Sequence, residues 1–125
     1  MIIFLKNKQT LKVGDFNFKC SIGKNGVSKN KIEGDKKTPI GTYKIGYLYY
    51  RQDRIKNIKT KLKCIAINKK MAWCDDSKDL SRYNRLIYNI NNLSHEKLYR
   101  KDNKYDLLIP IKYNYSKTIP KKGSC

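Results

Sequence analysis

Cysteine and histidine are the side chains that do covalent and acid–base chemistry near neutral pH, and this chain carries few of them: Cys20, Cys64, Cys74, Cys125 and one histidine, His95. A thiol attacks only as its thiolate. That requires a histidine or a helix N-terminus to lower its pKa from about 8.5 toward neutrality. Any Cys–His pair within these residues must therefore use His95. Cys74 sits between Trp73 and the pair Asp75-Asp76. Neighbouring carboxylates raise a thiol pKa, so the plainer reading of Cys74 is a buried structural thiol. Cys125 has no glycine immediately before it and is a poor nucleophile candidate. No CxxC pair is present, and a single histidine does not complete a zinc finger. Four cysteines in 125 residues fall far below the density of a disulfide scaffold, so reduced thiols are expected.

The other chemistry-bearing residues each read in two ways. Asp75-Asp76 is either a metal-binding or general-acid pair, or a turn cap. His95 is either a cleft-lining donor that orients a substrate or a hydrogen-bonded structural residue. Tyr83-Asn84 and Tyr113-Asn114 are aromatic–amide pairs that either contact a peptide or finish strands.

The elements that must position these residues are short and β-like. Residues 2–5 (IIFL) and 10–13 (TLKV) flank the polar KNKQ in a hairpin pattern. Residues 16–22 (FNFKCSI) alternate, with Phe16, Phe18, Cys20 and Ile22 on one face, which predicts a half-buried strand. A long charged loop follows, GKNGVSKNKIEGDKKTPIG, of a length that is usually functional or mobile. It lacks a GK[ST] entering a helix and so is not a phosphate-binding P-loop. Residues 42–50, 63–67, 85–90 and 105–113 are further strand candidates, the last with Pro110 marking an edge or a bulge. Helix is scarce. Ser94 is expected to cap a short helical turn through HEKLYRK, and residues 79–82 to form another turn. The class is mainly β, a sandwich or a partly open barrel.

The formal net charge is +19, and lysine outnumbers arginine about five to one. Such a balance favours acidic partners: nucleic acid, anionic envelope polymers or an anionic peptide. A lysine-, asparagine- and isoleucine-rich mixture is also what an AT-rich coding sequence yields without selection for charge. A dedicated nucleic-acid surface leans more on arginine. The apolar run MIIFL is too short for a signal-peptide core, and no stretch approaches the roughly 20 apolar residues of a membrane span.

An ordered set of motifs carries a family resemblance. Gly23-Lys24-Asn25-Gly26, Gly34-Asp35 and Thr38-Pro39-Ile40-Gly41-Thr42-Tyr43 resemble the amino-terminal signature of L,D-transpeptidase (YkuD-type) catalytic domains. The resemblance continues through Met71-Ala72-Trp73-Cys74-Asp75-Asp76, Tyr83-Asn84-Arg85-Leu86, Ser94-His95-Glu96-Lys97-Leu98 and Tyr105-Asp106-Leu107-Leu108. It covers about 100 residues from Ser21 onward. It implies a β-sandwich with one or two short helices, and acyl transfer on peptidoglycan stem peptides by a cysteine nucleophile, without metal or organic cofactor. In the branch it resembles, a G.GS turn leads to a histidine-bearing strand and then to Ser/Thr-x-Gly-Cys. Lys122-Gly123-Ser124-Cys125 matches that turn, and the nucleophile motif is not among residues 1–125.

The resulting expectation is a single partial domain over residues 1–125, incomplete at the C-terminus, with no catalytic residue of its own and marginal stability. Its substrate-cleft candidates are His95, Trp73, Asp76, Tyr83, Asn84, Tyr113 and Asn114. Two alternatives stay open: a small basic β-module binding nucleic acid through lysines and tyrosines, and a non-catalytic peptidoglycan-binding domain. The family implies a periplasmic or cell-envelope location, whereas no signal peptide is visible.

Overall fold

A computed structural model describes residues 1–88 and 92–124. The chain divides into two compact units, Met1–Gly41 and Thr42–Cys125. None of the described residues is helical.

The first unit opens with an antiparallel meander of β1 (Ile3–Asn7), β2 (Thr10–Val13) and β3 (Phe16–Lys19). The expected hairpin around KNKQ is present, with Ile3 opposite Val13 and Leu5 opposite Leu11. Directly opposed residues share a face. Ile3, Val13 and Phe16 therefore form one apolar row, and Leu5, Leu11 and Phe18 the next. The expectation of a half-buried strand over residues 16–22 needs correction. β3 ends at Lys19, and Phe16 and Phe18 stay 72% and 52% exposed. Alternation placed these rings on one face correctly, yet among the described residues that face lies largely open. After the meander, β4 (Val27–Ser28) and β5 (Thr38–Pro39) form a two-stranded parallel ladder.

In the second unit, two three-stranded sheets share a core. One has the order β11-β6-β7, built from β6 (Leu48–Tyr50), β7 (Cys64–Ala66) and β11 (Leu107–Leu108). The other has the order β10-β8-β9, from β8 (Met71–Cys74), β9 (Leu86–Tyr88) and β10 (His95–Lys97). Strand β8 is central and buried on both faces. Met71 and Trp73 join Tyr49, Ile67 and Leu98 in the main core, while Ala72 and Cys74 pack with Ile87 on the opposite side. β11 is an edge strand, in keeping with Pro110 just beyond it. The strand candidate over residues 85–90 is realised as Leu86–Tyr88; residues 89 and 90 lie outside the described set.

The sequence predicts one or two short helices, and this is wrong. The HEKLYRK segment opens with a strand and has no helix: His95, Glu96 and Lys97 pair with Cys74, Trp73 and Ala72, and the Leu98 N–H donates to the Met71 carbonyl. Its pattern has period two, with Glu96 and Leu98 turned toward Trp73 and Tyr105 around a cavity of about 20 Å³. Ladder bonds to a fully buried strand outweigh the weak helix preference of a charged heptamer. Residues 79–82 do form a turn, closed by the Tyr83 N–H on the Asp79 carbonyl.

Candidate functional site

The motif residues of the first unit hold one another. The Asp35 carboxylate accepts from Lys31 Nζ (2.7 Å) and from the N–H groups of Ile32 and Lys37 (2.9 Å each). Lys31 is itself buried, and its ammonium also donates to the Lys37 carbonyl (2.6 Å). Burial alone would push the Asp35 carboxyl up. The ammonium and the two N–H groups outweigh it and hold the pKa at about 2. The Gly23 N–H donates to Thr38 Oγ1 (2.8 Å). Gly23 tolerates no side chain, because a Cβ there would stand 2.4 Å from the Lys36 carbonyl oxygen. The long GKNG…GDKKTP loop is thus an ordered, charge-centred structure.

In the second unit the candidate residues gather around the end of β8. Asn84 is fully buried and adopts a φ of 57°. Its Oδ1 accepts from the Trp73 indole N–H (2.9 Å), and its Nδ2 donates to the carbonyls of Tyr113 (3.0 Å) and Asn114 (2.8 Å). Asn114, with a φ of 48°, continues the chain of bonds. It donates to the carbonyls of Ile119 and Gly123 and accepts from the Ile119 N–H. Two further hydroxyls close the arrangement. Tyr83 accepts from the buried Gly123 N–H (3.1 Å), and Tyr113 donates to the Lys122 carbonyl (2.6 Å). Tyr113 also meets Tyr43 edge to face at 5.6 Å. Trp73, Tyr83 and Asn84 are buried. Together with Tyr113 and Asn114 they seat the irregular arm of residues 113–123. Asparagine suits both positions, since it tolerates the left-handed region and its side chain imitates a backbone turn.

Asp75 and Asp76 act as turn and strand ties, the second of their two readings. Asp76 accepts from the N–H groups of Lys78 (3.0 Å) and Ser94 (3.1 Å), which lower its pKa, and Asp75 accepts from the Ser94 hydroxyl (2.6 Å). Ser94 therefore ties β10 to the end of β8 and caps no helix. Among the described residues, no group of three or more His, Cys, Asp or Glu side chains could hold a metal ion.

His95 is half-buried and lies directly opposite Cys74 in the ladder. Its Nδ1 is 2.6 Å from the Leu93 carbonyl, an acceptor only, so Nδ1 carries the proton and the lone pair of the neutral ring is on Nε2. No hydrogen bond among the described residues joins His95 to the Cys74 thiol. Cys74 is fully buried, and burial, reinforced by Asp79, Asp76 and Asp75, pushes its pKa up. That is the opposite of what a nucleophile needs. Cys20, Cys64 and Cys74 are free thiols, and Cys125 lies outside the described residues.

Sequence reasoning missed a pair of arginines. The Arg51 guanidinium is buried over the Tyr99 ring at 3.7 Å, binds Asp53 through two nitrogens and donates to the Arg100 carbonyl. Arg54 bonds Asp106 (2.8 Å) and the carbonyls of Asp102 and Lys101. Together they clasp the segment that carries Tyr105, whose hydroxyl bonds Glu96. The spacing of nearly fifty residues leaves no local signal for this clasp.

No curated protein and no solved structure matches the chain. A family comparison does find a match, and it spans residues 1–122, including both the glycine-rich loop and the Trp73–Asn84 region described above. The chain therefore belongs to the YkuD family of L,D-transpeptidase catalytic domains.

Proposed function

We propose that residues 1–125 form the framework of a peptidoglycan acyl-transfer domain whose thiol nucleophile is carried outside them. The reaction is attack of a cysteine thiolate on the carbonyl of the diamino acid at the third position of a stem peptide. The terminal D-alanine leaves as its amine and a thioester forms. An amine from a neighbouring stem then displaces the thiol and yields the cross-link. Backbone N–H groups near the nucleophile would stabilise the oxyanion. The family match over nearly the whole chain is the observation that carries this reading. Further support comes from Cys74, which is buried and driven away from the thiolate, and from the amide network that seats residues 113–123. A cell-envelope location follows from the substrate. No helix of the described residues is long and apolar enough to cross a membrane.

The test is to incubate the chain with a carbapenem and with tetrapeptide muropeptides. Muropeptide binding with no D-alanine release and no acyl adduct by intact mass is the expected result. An adduct abolished by Cys74→Ser would overturn the placement of the nucleophile, and failure to bind muropeptides would overturn the framework reading. The nucleic-acid alternative draws on the +19 charge. Against it, Tyr47, Tyr99, Tyr105 and Tyr115 each have a cation of this chain over the ring, leaving fewer faces for bases.

A further inference from the structure

Among the asparagines of this chain, only Asn25 precedes a glycine. Asparagine is a thermolabile residue, and the reaction that makes it so runs through the next peptide nitrogen. That nitrogen gives up its proton to hydroxide and attacks the side-chain Cγ. A new C–N bond closes a five-membered imide, the Cγ–Nδ2 bond breaks, and the departing nitrogen takes a proton from water and leaves as ammonia. Water then opens the imide at either carbonyl, giving aspartate or isoaspartate. A side chain on the following residue hinders the attack, and glycine has none. Asn25 is exposed, so water and hydroxide reach it.

The loop nevertheless ties down both reacting groups. The Gly26 N–H, whose nitrogen would attack, donates to the Gly23 carbonyl (2.8 Å) and closes a turn over Lys24 and Asn25. The Asn25 side-chain Nδ2, which would leave, donates to the Asp35 carbonyl (3.0 Å). On either side, the Asn25 N–H donates to the Lys36 carbonyl and the Thr38 N–H to the Gly26 carbonyl (2.9 Å each). Gly23 is fixed in turn by Thr38 Oγ1 and by its close approach to Lys36 and Lys37. Ring closure requires the Gly26 nitrogen and the Asn25 amide to give up these partners. Apart from the turn bond itself, every partner belongs to residues 35–38. The Asp35 carboxylate anchors that segment through Lys31, Ile32 and Lys37.

We propose that Asn25 is a deamidation site gated by the Asp35 hub. The closed loop withholds both reacting groups, and local opening of residues 35–38 releases them. Imide formation is slow beside loop opening, so its rate follows the open population. The change is irreversible in water and feeds back on the loop. Aspartate at position 25 loses the amide donor and turns a carboxylate toward the Asp35 carbonyl oxygen. Isoaspartate also lengthens the main chain by one carbon inside the turn, which displaces the Gly26 N–H from the Gly23 carbonyl. Either product loosens the segment that carries Gly23-Lys24-Asn25-Gly26 and Gly34-Asp35.

The test compares the parent chain, Asp35→Asn, Thr38→Val, Asn84→Ala and a free peptide of residues 20–30 in mildly alkaline buffer. Mass-spectrometric peptide mapping follows the amide, aspartate and isoaspartate forms of residue 25, and circular dichroism checks folding. The free peptide sets the ungated rate, and the parent is expected to react at least about 30-fold more slowly. Asp35→Asn should recover most of that difference. Thr38→Val removes the acceptor of the Gly23 N–H without touching a charge and should accelerate the reaction about threefold to tenfold. Asn84→Ala, which cuts the hub of the second unit, should stay within about twofold of the parent. A parent as fast as the peptide, or an unchanged rate in either loop variant, would overturn the gate. Equal acceleration by Asn84→Ala and Asp35→Asn would assign the reaction to global unfolding and overturn it too. A peptide that leaves Asn25 intact would remove the site altogether.

Discussion

The loop between β4 and β5 and the arm of residues 113–123 are both irregular and both ordered, but by different physics. In the loop, the Asp35 carboxylate gathers one ammonium and two N–H groups. In the arm, the neutral amides of Asn84 and Asn114 gather carbonyls, N–H groups and an indole. A charged hub works near solvent but depends on its protonation state. An amide hub is indifferent to pH, yet it has to be buried and complementary in shape, because each missing partner leaves a desolvated polar group. The family's glycine-rich motif is thus built on the first device, and the segment preceding Ser124 on the second.

Asn84→Ala should produce the largest effect. It leaves the buried Trp73 indole N–H and two carbonyls without their partner and places alanine at a φ of 57°. The cost is about 3–5 kcal/mol, from unsatisfied polar groups plus left-handed strain. Trp73 is the only tryptophan, so its fluorescence during urea unfolding reads the change directly. Asn84→Gly removes the same bonds but not the φ requirement, and should recover about 1 kcal/mol. If the two variants are equally stable, backbone strain plays no part at this position.

Asp35→Asn is the matching cut in the loop. It keeps an acceptor but leaves the buried Lys31 ammonium unpaired, at a cost of about 2–3 kcal/mol confined to the first unit. All ten tyrosines and the tryptophan lie beyond Gly41, so optical probes report the second unit alone. Amide exchange at Ile32 and Lys37 reports the first. It should accelerate roughly 30-fold or more, with Trp73 fluorescence unchanged.

Acid separates the two hubs without mutation. The Asp35 pKa is lowered to about 2 from an ordinary 3.8. A depressed carboxyl contributes stability that is complete above its unfolded pKa and is lost as pH falls through the folded one. Protection at Ile32 and Lys37 should therefore decline between about pH 5 and pH 2. The Ile119 and Gly123 N–H groups, held by Asn114 and Tyr83, should keep theirs until the second unit unfolds as a whole. Simultaneous loss at all four amides would erase the distinction between the hubs.

Part of this was legible in the sequence. KNKQ between two apolar runs signalled the hairpin, and Pro110 signalled an edge, because both signals are local. Strand β8 gave no alternation to read, since Met71, Ala72, Trp73 and Cys74 are all buried, on two faces. His95, Glu96 and Lys97 looked helical because their charges hid a period-two pattern that only the pairing with β8 reveals. Phe16 and Phe18 were assigned the right face and the wrong burial, because exposure depends on what else covers a sheet. The repeated Tyr-Asn pairs read equally as peptide contacts or as strand ends. The hydrogen-bond partners they have in the fold lie up to forty residues away, beyond the reach of any local rule.

The smallest effect tests whether the arm is held by its amides or by its rim. Tyr113→Phe removes only the hydroxyl that donates to the Lys122 carbonyl, at an exposed site where water replaces it. The ring stays edge-on to Tyr43. A solvent-exposed neutral hydrogen bond is worth about 0.5–1 kcal/mol, so the urea midpoint should shift only slightly. Protection of the Gly123 N–H, which rests on Tyr83, should persist. Asn114→Ala should abolish that protection, because Asn114 alone binds both the Ile119 and the Gly123 carbonyl through one amide nitrogen. If Tyr113→Phe proves the more damaging of the two, the arm is anchored from its rim, and the amide hub is secondary.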